Sequence, residues 1–358
     1  MEVNIDFEEI IQETIKNLGQ VNIIIAGKTG VGKSTLLNAV FNEDMAETGV
    51  GRPVTQCMRE YSKEGSFYHI FDTKGFELDS YQEMKENIIQ EIRKRKSTDP
   101  KEHLHIMWYC VSDEGKRIEP AEIDFIKEIT KEIPTILVFT KAMSSDLTFF
   151  NKVKEENYNT ITHLIRVLAL GYETPIGVVP PFGIQELIEL TYNLLPDAAK
   201  KAFAAAQKVN KELKKKTVNK LIVGAASAAA AAGATPIPFS DAIVLAPIQI
   251  GMIAGISSTF GMELSSAFIS TIVTSAAGVV GATYAGRAIV SGLLKLIPTA
   301  GSIIGGTISA TTAATLTTLM GWAYYNTLVF LQDNNMELTP DNIAERFKKQ
   351  LKMENNKE

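Results

Sequence analysis

Gly27-Lys28-Thr29-Gly30-Val31-Gly32-Lys33-Ser34 stands directly after the apolar run Val21–Ala26 and opens residues 34–41, whose apolar spacing is helical. The eight residues fit the pattern GxxxxGK[ST], and a strand, a glycine-rich loop and a helix form the context that this pattern requires. Glycines let successive backbone N–H groups turn inward around phosphate oxygens at a helix N-terminus. Gly27, Lys28, Thr29, Gly30, Val31, Gly32, Lys33 and Ser34, with the following Thr35, are the expected phosphate-binding set. Lys33 is expected to reach the β- and γ-phosphates of a nucleoside triphosphate, and Ser34 to offer its hydroxyl to Mg2+.

Outward from this loop the chain alternates. Residues 57–61 and 67–71 read as a hairpin, and 104–111, 135–139 and 176–179 as buried strands, with helical patterns between the later ones. Strands alternating with helices imply an α/β domain of the P-loop type, with a mostly parallel sheet covered on both faces and its ligand at the carboxyl ends of the strands. This domain is expected over residues 1–196, opening with a short amphipathic helix at 6–18.

Asp72-Thr73-Lys74-Gly75 follows the apolar stretch ending at Phe71, which places a carboxylate at a strand end. Asp72 can hold Mg2+, through water, while the Gly75 N–H can meet a γ-phosphate. Thr55, on the loop between, could cap the metal in the triphosphate state, or be an ordinary loop threonine. The expected catalytic residues are Lys33, Thr55 and Gly75, and the expected metal ligands are Ser34, Thr55 and Asp72. His103 and His105 could share a strand face, but no third ligand is in view and a structural role is expected. Cys57 and Cys110 form no spaced framework, which fits a reducing, intracellular setting. The net charge of -5 and a pI near 5.6 speak against a nucleic-acid partner, and the first residues carry no secretory pattern.

Beyond Lys220 the composition changes. A helix expected over 197–220 carries Lys200, Lys201, Lys208, Lys211, Lys214, Lys215, Lys216 and Lys220, either as a solvated face or as a polybasic collar beside anionic lipid. From 221 to 332 the only charged residues are Asp241, Glu263, Arg287 and Lys295. Uncharged stretches there reach the roughly 20 residues that a membrane-spanning helix needs. An all-α hydrophobic domain is therefore expected over 221–332. It is either inserted in or tightly associated with a membrane, or a water-soluble Ala/Gly-rich bundle buried all round. Small residues at Gly251 and Gly255, and at Gly301 and Gly305, predict close helix packing in either solvent. Residues 333–358 read as a charged terminal helix on the cytosolic side, capped near Thr339.

The stretches GKTGVGKSTLLNAVF, RPVTQ, DTKGFE, HIMWYCVS and IPTILVFTKA resemble the septin-like and Era-like branches of the translation-factor-related GTPases. Joined to a small-residue-rich C-terminal region, they also resemble bacterial membrane-associated GTPases and, more distantly, immunity-related GTPases. The resemblance implies GTP and GDP as ligands, Mg2+, and a homodimer across the nucleotide face. It also implies that Thr140 and Lys141 lie at the base, where the related pattern is (N/T)KxD. Met143 stands at the aspartate position and cannot accept hydrogen bonds from guanine; Asp146 is a speculative substitute. Phe76 follows Gly75 where Ras-like enzymes place a water-orienting glutamine, so slow hydrolysis is implied, with Thr55, Lys28 or Arg52 as candidate helpers.

Overall fold

The computed structural model describes residues 9–10, 13, 19–41, 52–55, 58–62, 68–73, 81–156, 163–174, 177–207, 209–233, 241–262, 265, 267–269, 271–272 and 310–355. The chain divides into two compact units, Leu18–Leu213, and Met1–Asn17 with Lys214–Glu358.

In the first unit the strands are β1 (Val21–Ala26), β2 (Arg52–Thr55), β3 (Met58–Tyr61), β4 (Tyr68–Thr73), β5 (Ile106–Ser112), β6 (Thr135–Thr140) and β7 (His163–Arg166). They form one seven-stranded sheet in the order β2-β3-β4-β1-β5-β6-β7. All pairings from β4 to β7 are parallel, and only β2–β3 and β3–β4 are antiparallel. The mostly parallel sheet expected from the sequence is therefore present.

Alternate residues of the central strands point to opposite faces, and each face has its own core. Ile23, Ile25, Trp108, Cys110 and Val138 pack under helices α1 (Lys33–Val40), α5 (Ile184–Leu194) and α6 (Asp197–Ala206), the last through Ala199, Ala202 and Phe203. Ile24, Tyr109, Leu137 and Phe139 pack under α2 (Tyr81–Lys96), α3 (Pro120–Thr130) and α4 (Thr148–Glu155), through Met84, Ile88, Phe125, Ile126 and Val153. Buried on both sides, the strands read as continuous apolar runs.

Three expectations about this unit change. The strand at 176–179 is not a buried member of the main sheet. Gly177–Val179 is β9, which pairs only with β8 (Tyr172–Thr174) in a separate two-stranded hairpin, and Val178 is exposed. The seventh place belongs to β7, a short edge strand whose four residues are all half-buried and whose polar ends hide it from an apolar-run reading. Thr55 ends β2, paired with Met58, rather than lying on a loop. Finally, residues 197–220 are two helices. α6 stops at Gln207, whose amide bonds the Ala204 and Asn210 carbonyls and accepts from Val209 and Asn210 N–H. Asn210 then caps α7 (Lys211–Gly233) by accepting from the Leu213 N–H.

The second unit is helical as expected, with most of α7, α8 (Asp241–Thr259), α9 (Ala310–Asp333) and α10 (Pro340–Asn355). Thr339 caps α10, its hydroxyl accepting from the Asn342 N–H. Among the described residues no helix is long and apolar enough to cross a membrane. The expected small-residue contact at Gly301 and Gly305 lies outside the described residues, but Gly255 packs against Leu221. Among the described glycines of this unit the tightest approach is at Gly321, where an added Cβ would come within 2.6 Å of Ile222 Cγ1 and 2.9 Å of Met252 Sδ. Gly321→Ala is therefore expected to lose about 1–2 kcal/mol, because overpacking outweighs the helix propensity gained. Denaturant melts of the two chains measure it. Some buried polar groups in this unit are matched across helices, as where Ser257 and Tyr324 share a hydrogen bond of 2.7 Å. Lys214, the one buried lysine of the basic stretch among the described residues, lies over the Phe260 ring at 5.3 Å, and burial pulls its amine down to about 8. Lys211, Lys215, Lys216 and Lys220 are exposed.

Candidate functional site

The loop after β1 emerges at the carboxyl edge of the sheet between its two parallel neighbours, β4 and β5. Gly27 sits at φ +135° with its Cα against β5, so that a Cβ would lie 2.2 Å from the Cys110 carbonyl oxygen. No other residue fits there. Gly32, at φ +99°, is the N-cap of α1 and offers no side-chain cap, so no side chain spends the first-turn N–H groups of this helix. Thr29, Gly30, Ser34 and Thr35 are exposed on the loop and first turn, Lys28 and Lys33 are half-buried, and Val31 is buried. Lys33 Nζ folds over the loop, donating to the carbonyl oxygens of Gly27 at 2.8 Å and Lys28 at 3.2 Å. An ammonium with its charge above a ring of backbone N–H groups makes an anion site suited to phosphate.

Asp72 lies beside β1, in register with Ile25. Its Oδ1 is buried and, among the described residues, has no hydrogen-bond partner. Burial raises its carboxyl above the usual range, while Lys33 and Arg59 draw it back. A buried carboxylate oxygen without a partner among the described residues, on the strand beside the loop, and an exposed serine hydroxyl next to Lys33, which acts on that carboxylate, are oxygen donors of the kind that fits Mg2+, a hard cation that keeps several waters. Ser34 and Asp72 would hold it. Thr55 is half-buried at the end of β2, while Gly75 and Phe76 lie outside the described residues.

Thr140, assigned by resemblance to the base, is buried at the end of β6. Its hydroxyl lies 2.6 Å from the Val31 carbonyl and 3.0 Å from that of Val111. It braces the phosphate loop against the sheet. Lys141 follows at φ +52°, and its aliphatic stem lies alongside Gly32. Asp146, the speculative substitute for Met143, is engaged elsewhere: one oxygen pairs with Lys116 at 2.6 Å and the other accepts from the N–H and hydroxyl of Thr148 at the start of α4. Those bonds hold its carboxyl well below the usual carboxylate range. Arg166, not singled out by sequence, ties this region down by donating to the buried Asp113 at 2.6 Å and to the Ser144 carbonyl at 2.5 Å.

His105 has a structural role, and His103 Nε2 lies 3.2 Å from the Thr98 carbonyl. His105 Nδ1 accepts from the Asn22 N–H at 3.0 Å, and Nε2 lies 3.2 Å from the Pro100 carbonyl, so the neutral ring with a proton on Nε2 satisfies both. Burial lowers its pKa from 6.5 to about 4. The unfolded chain takes up this proton first, so stability falls as pH drops from 6.5 towards 4, by about 3 kcal/mol in total. Urea melts at several pH values should show a shallower acid slope for His105→Asn than for wild type. Cys110 is buried, and burial pushes its thiol up to about 12, which removes it as a nucleophile.

Residues 22–141 match the family model described as 50S ribosome-binding GTPase, and residues 197–354 match a domain of unknown function, DUF697. Neuronal-specific septin-3 of Rattus norvegicus is 24% identical over 174 residues, covering 41% of this chain and 49% of the septin. Septin-8-A of Danio rerio is 26% identical over 169 residues, covering 41% and 40%. The chain spans about half the length of the curated relatives it matches. Among solved structures, a probable GTP-binding protein engB aligns with 20% identity and a TM-score of 0.34, over 49% of this chain and 98% of that one. Toc33 from Arabidopsis thaliana, in complex with Mg2+ and GMPPNP, aligns with 18% identity and a TM-score of 0.33, over 56% and 94%. The chain carries a P-loop GTPase domain, with septin-like relatives, followed by a helical domain.

Proposed function

We propose, from the premise that residues 22–141 form a P-loop GTPase domain, that this protein is a Mg2+-dependent switch that binds GTP and hydrolyses it slowly. The observation that carries the reading is the combination of Lys33, folded over the loop carbonyls, with the buried oxygen of Asp72 one strand away, which has no hydrogen-bond partner among the described residues. Lys33 and the loop N–H groups bind and orient the phosphates. Ser34 and Asp72 would hold Mg2+, which would supply positive charge against the negative charge of the phosphates. Thr55 and Gly75 are proposed as the residues that respond to the γ-phosphate, by ordering on it and releasing after its loss. Met143 supplies no acceptor and Asp146 is committed to Lys116 and Thr148, so the preference for guanine over other bases is proposed to be modest.

Association with a membrane and action as a homodimer belong to the same proposal. The lipid reading rests on the exposed lysines at the start of α7 and on the scarcity of charge from 221 to 332, with the GTPase domain on the cytosolic side. The dimer rests on the likeness to septins. Phosphate release from GTP by the full chain, at rising protein concentration and with anionic vesicles, tests the whole. Slow release that rises with both is expected. Folded, nucleotide-loaded protein that releases no phosphate under any of these conditions would leave a nucleotide-holding scaffold instead. Vesicle flotation and carbonate extraction test the lipid reading separately, and protein that remains free of vesicles would remove it.

A further inference from the structure

Lys28, the second residue of the phosphate loop, does two things at once. Its carbonyl oxygen accepts from Lys33 Nζ at 3.2 Å, and its own ammonium leaves the loop to meet the start of α3, 2.9 Å from Glu122 Oε2 and 3.7 Å from Glu119 Oε1. Glu122 is an unusual partner for a loop lysine. It is 3% exposed, and every bond it makes fixes it further. Oε1 accepts from the hydroxyl of Tyr109, a fully buried residue of β5, at 2.9 Å. Oε2 accepts from the Glu119 N–H at 2.8 Å, which makes Glu122 one half of a capping box whose other half is Glu119. Pro120 sets the first helical position between them. Glu119 is itself paired with Arg117.

A carboxylate removed from water persists as an ion only where its lone pairs are filled and a cation faces it, and here Lys28 is that cation. The pair joins the loop to a helix already locked to the sheet. A phosphate loop held in one conformation before ligand arrives loses less freedom on binding and so binds more tightly. We propose that Glu122 is a positioning residue of the nucleotide site, acting through Lys28 to hold the loop in the conformation in which Lys33 lies over the Gly27 and Lys28 carbonyls. This rests on the nucleotide-binding reading above.

The test is a double-mutant cycle on the full chain with Lys28→Met, Glu122→Gln and both together, titrated with a fluorescent GTP analogue and melted without nucleotide. Glutamine keeps the shape of Glu122 and removes its charge; its oxygen can still accept from the Glu119 N–H while its amide group donates to the Tyr109 hydroxyl oxygen, so folding should be retained. Each single variant is expected to bind about tenfold more weakly, and the double variant no more weakly than either single, the coupling expected of residues acting as one pair. Losses that add in the double variant, or affinities within twofold of wild type in folded singles, would overturn the proposal. So would tighter binding by Glu122→Gln, which would mean that Glu122 withholds the Lys28 charge from phosphate. Wild-type protein that binds no nucleotide would remove the underlying function as well, an outcome distinct from wild-type binding with indifferent variants.

Discussion

Lys33→Ala should weaken triphosphate binding about 100-fold or more, since truncating one member of a desolvated charge pair costs roughly 3 kcal/mol or above. Among the described residues the ammonium donates to two loop carbonyl oxygens and faces the Asp72 carboxyl, and its main interaction is expected with the phosphates. Without nucleotide the variant should melt close to wild type, because two half-buried hydrogen bonds to a loop contribute about 1 kcal/mol each at most. Titration with a fluorescent nucleotide measures the first effect and thermal unfolding the second. Wild-type affinity in the variant would remove Lys33 from the phosphate site. An equal loss of stability and affinity would make its role structural.

Gly27→Ala attacks the same loop through the backbone and should damage both properties. The new Cβ would stand 2.2 Å from a carbonyl oxygen of β5, in the middle of a sheet whose strands are bonded on both sides, and at φ +135°. Neither the strand nor the loop can retreat cheaply. Strain and overpacking together amount to about 4 kcal/mol, which lowers the melting temperature by roughly 10 °C in a unit of this size. Gly30→Ala is the control. Gly30 also has positive φ, at +80°, but an added Cβ there meets nothing within 4 Å, so only the backbone preference of about 1 kcal/mol is lost. Thermal melts of the two variants should separate clearly, and equal melting temperatures would contradict the packing described for Gly27.

Much of the site could be read before the fold, because a phosphate loop is a local object. Its strand, glycines, lysine and serine are contiguous, and backbone geometry alone imposes the spacing from Gly27 to Ser34. The central strands were legible for a related reason: burial on both faces leaves them uniformly apolar. The short edge strand His163–Arg166 was not, because a half-buried edge carries no such run. The segment 176–179 takes its place in the sequence pattern, since four residues do not tell a hairpin from a core strand.

Contacts between distant segments were the least legible. Thr140 matches a base-reading pattern, yet its hydroxyl reaches the loop carbonyl of Val31, a pairing that only the adjacency of β1, β5 and β6 creates. Arg166 with Asp113, and Lys28 with Glu122, join residues far apart in the chain. For Glu122 a local signal did exist: Glu119-Pro120-Ala121-Glu122, a proline at the first helical position between two acids, is a helix-start signature. It marks the helix start but not the lysine that the acid meets. In the helical unit, the small residues at 251 and 255 and the scarcity of charge foretold close packing, but Gly321, where the approach is tightest, has no glycine partner at that spacing to mark it.

The central claim, a Mg2+-dependent guanine-nucleotide site on this loop, is tested most directly by calorimetric titration of the purified full chain with GDP and a non-hydrolysable GTP analogue, with Mg2+ and after its chelation. The predicted result is one saturable site per chain for both nucleotides, with the triphosphate analogue binding more weakly once Mg2+ is removed and ATP competing less well than GTP. A folded chain that binds neither nucleotide, or binds the triphosphate analogue equally well with and without Mg2+, would contradict it.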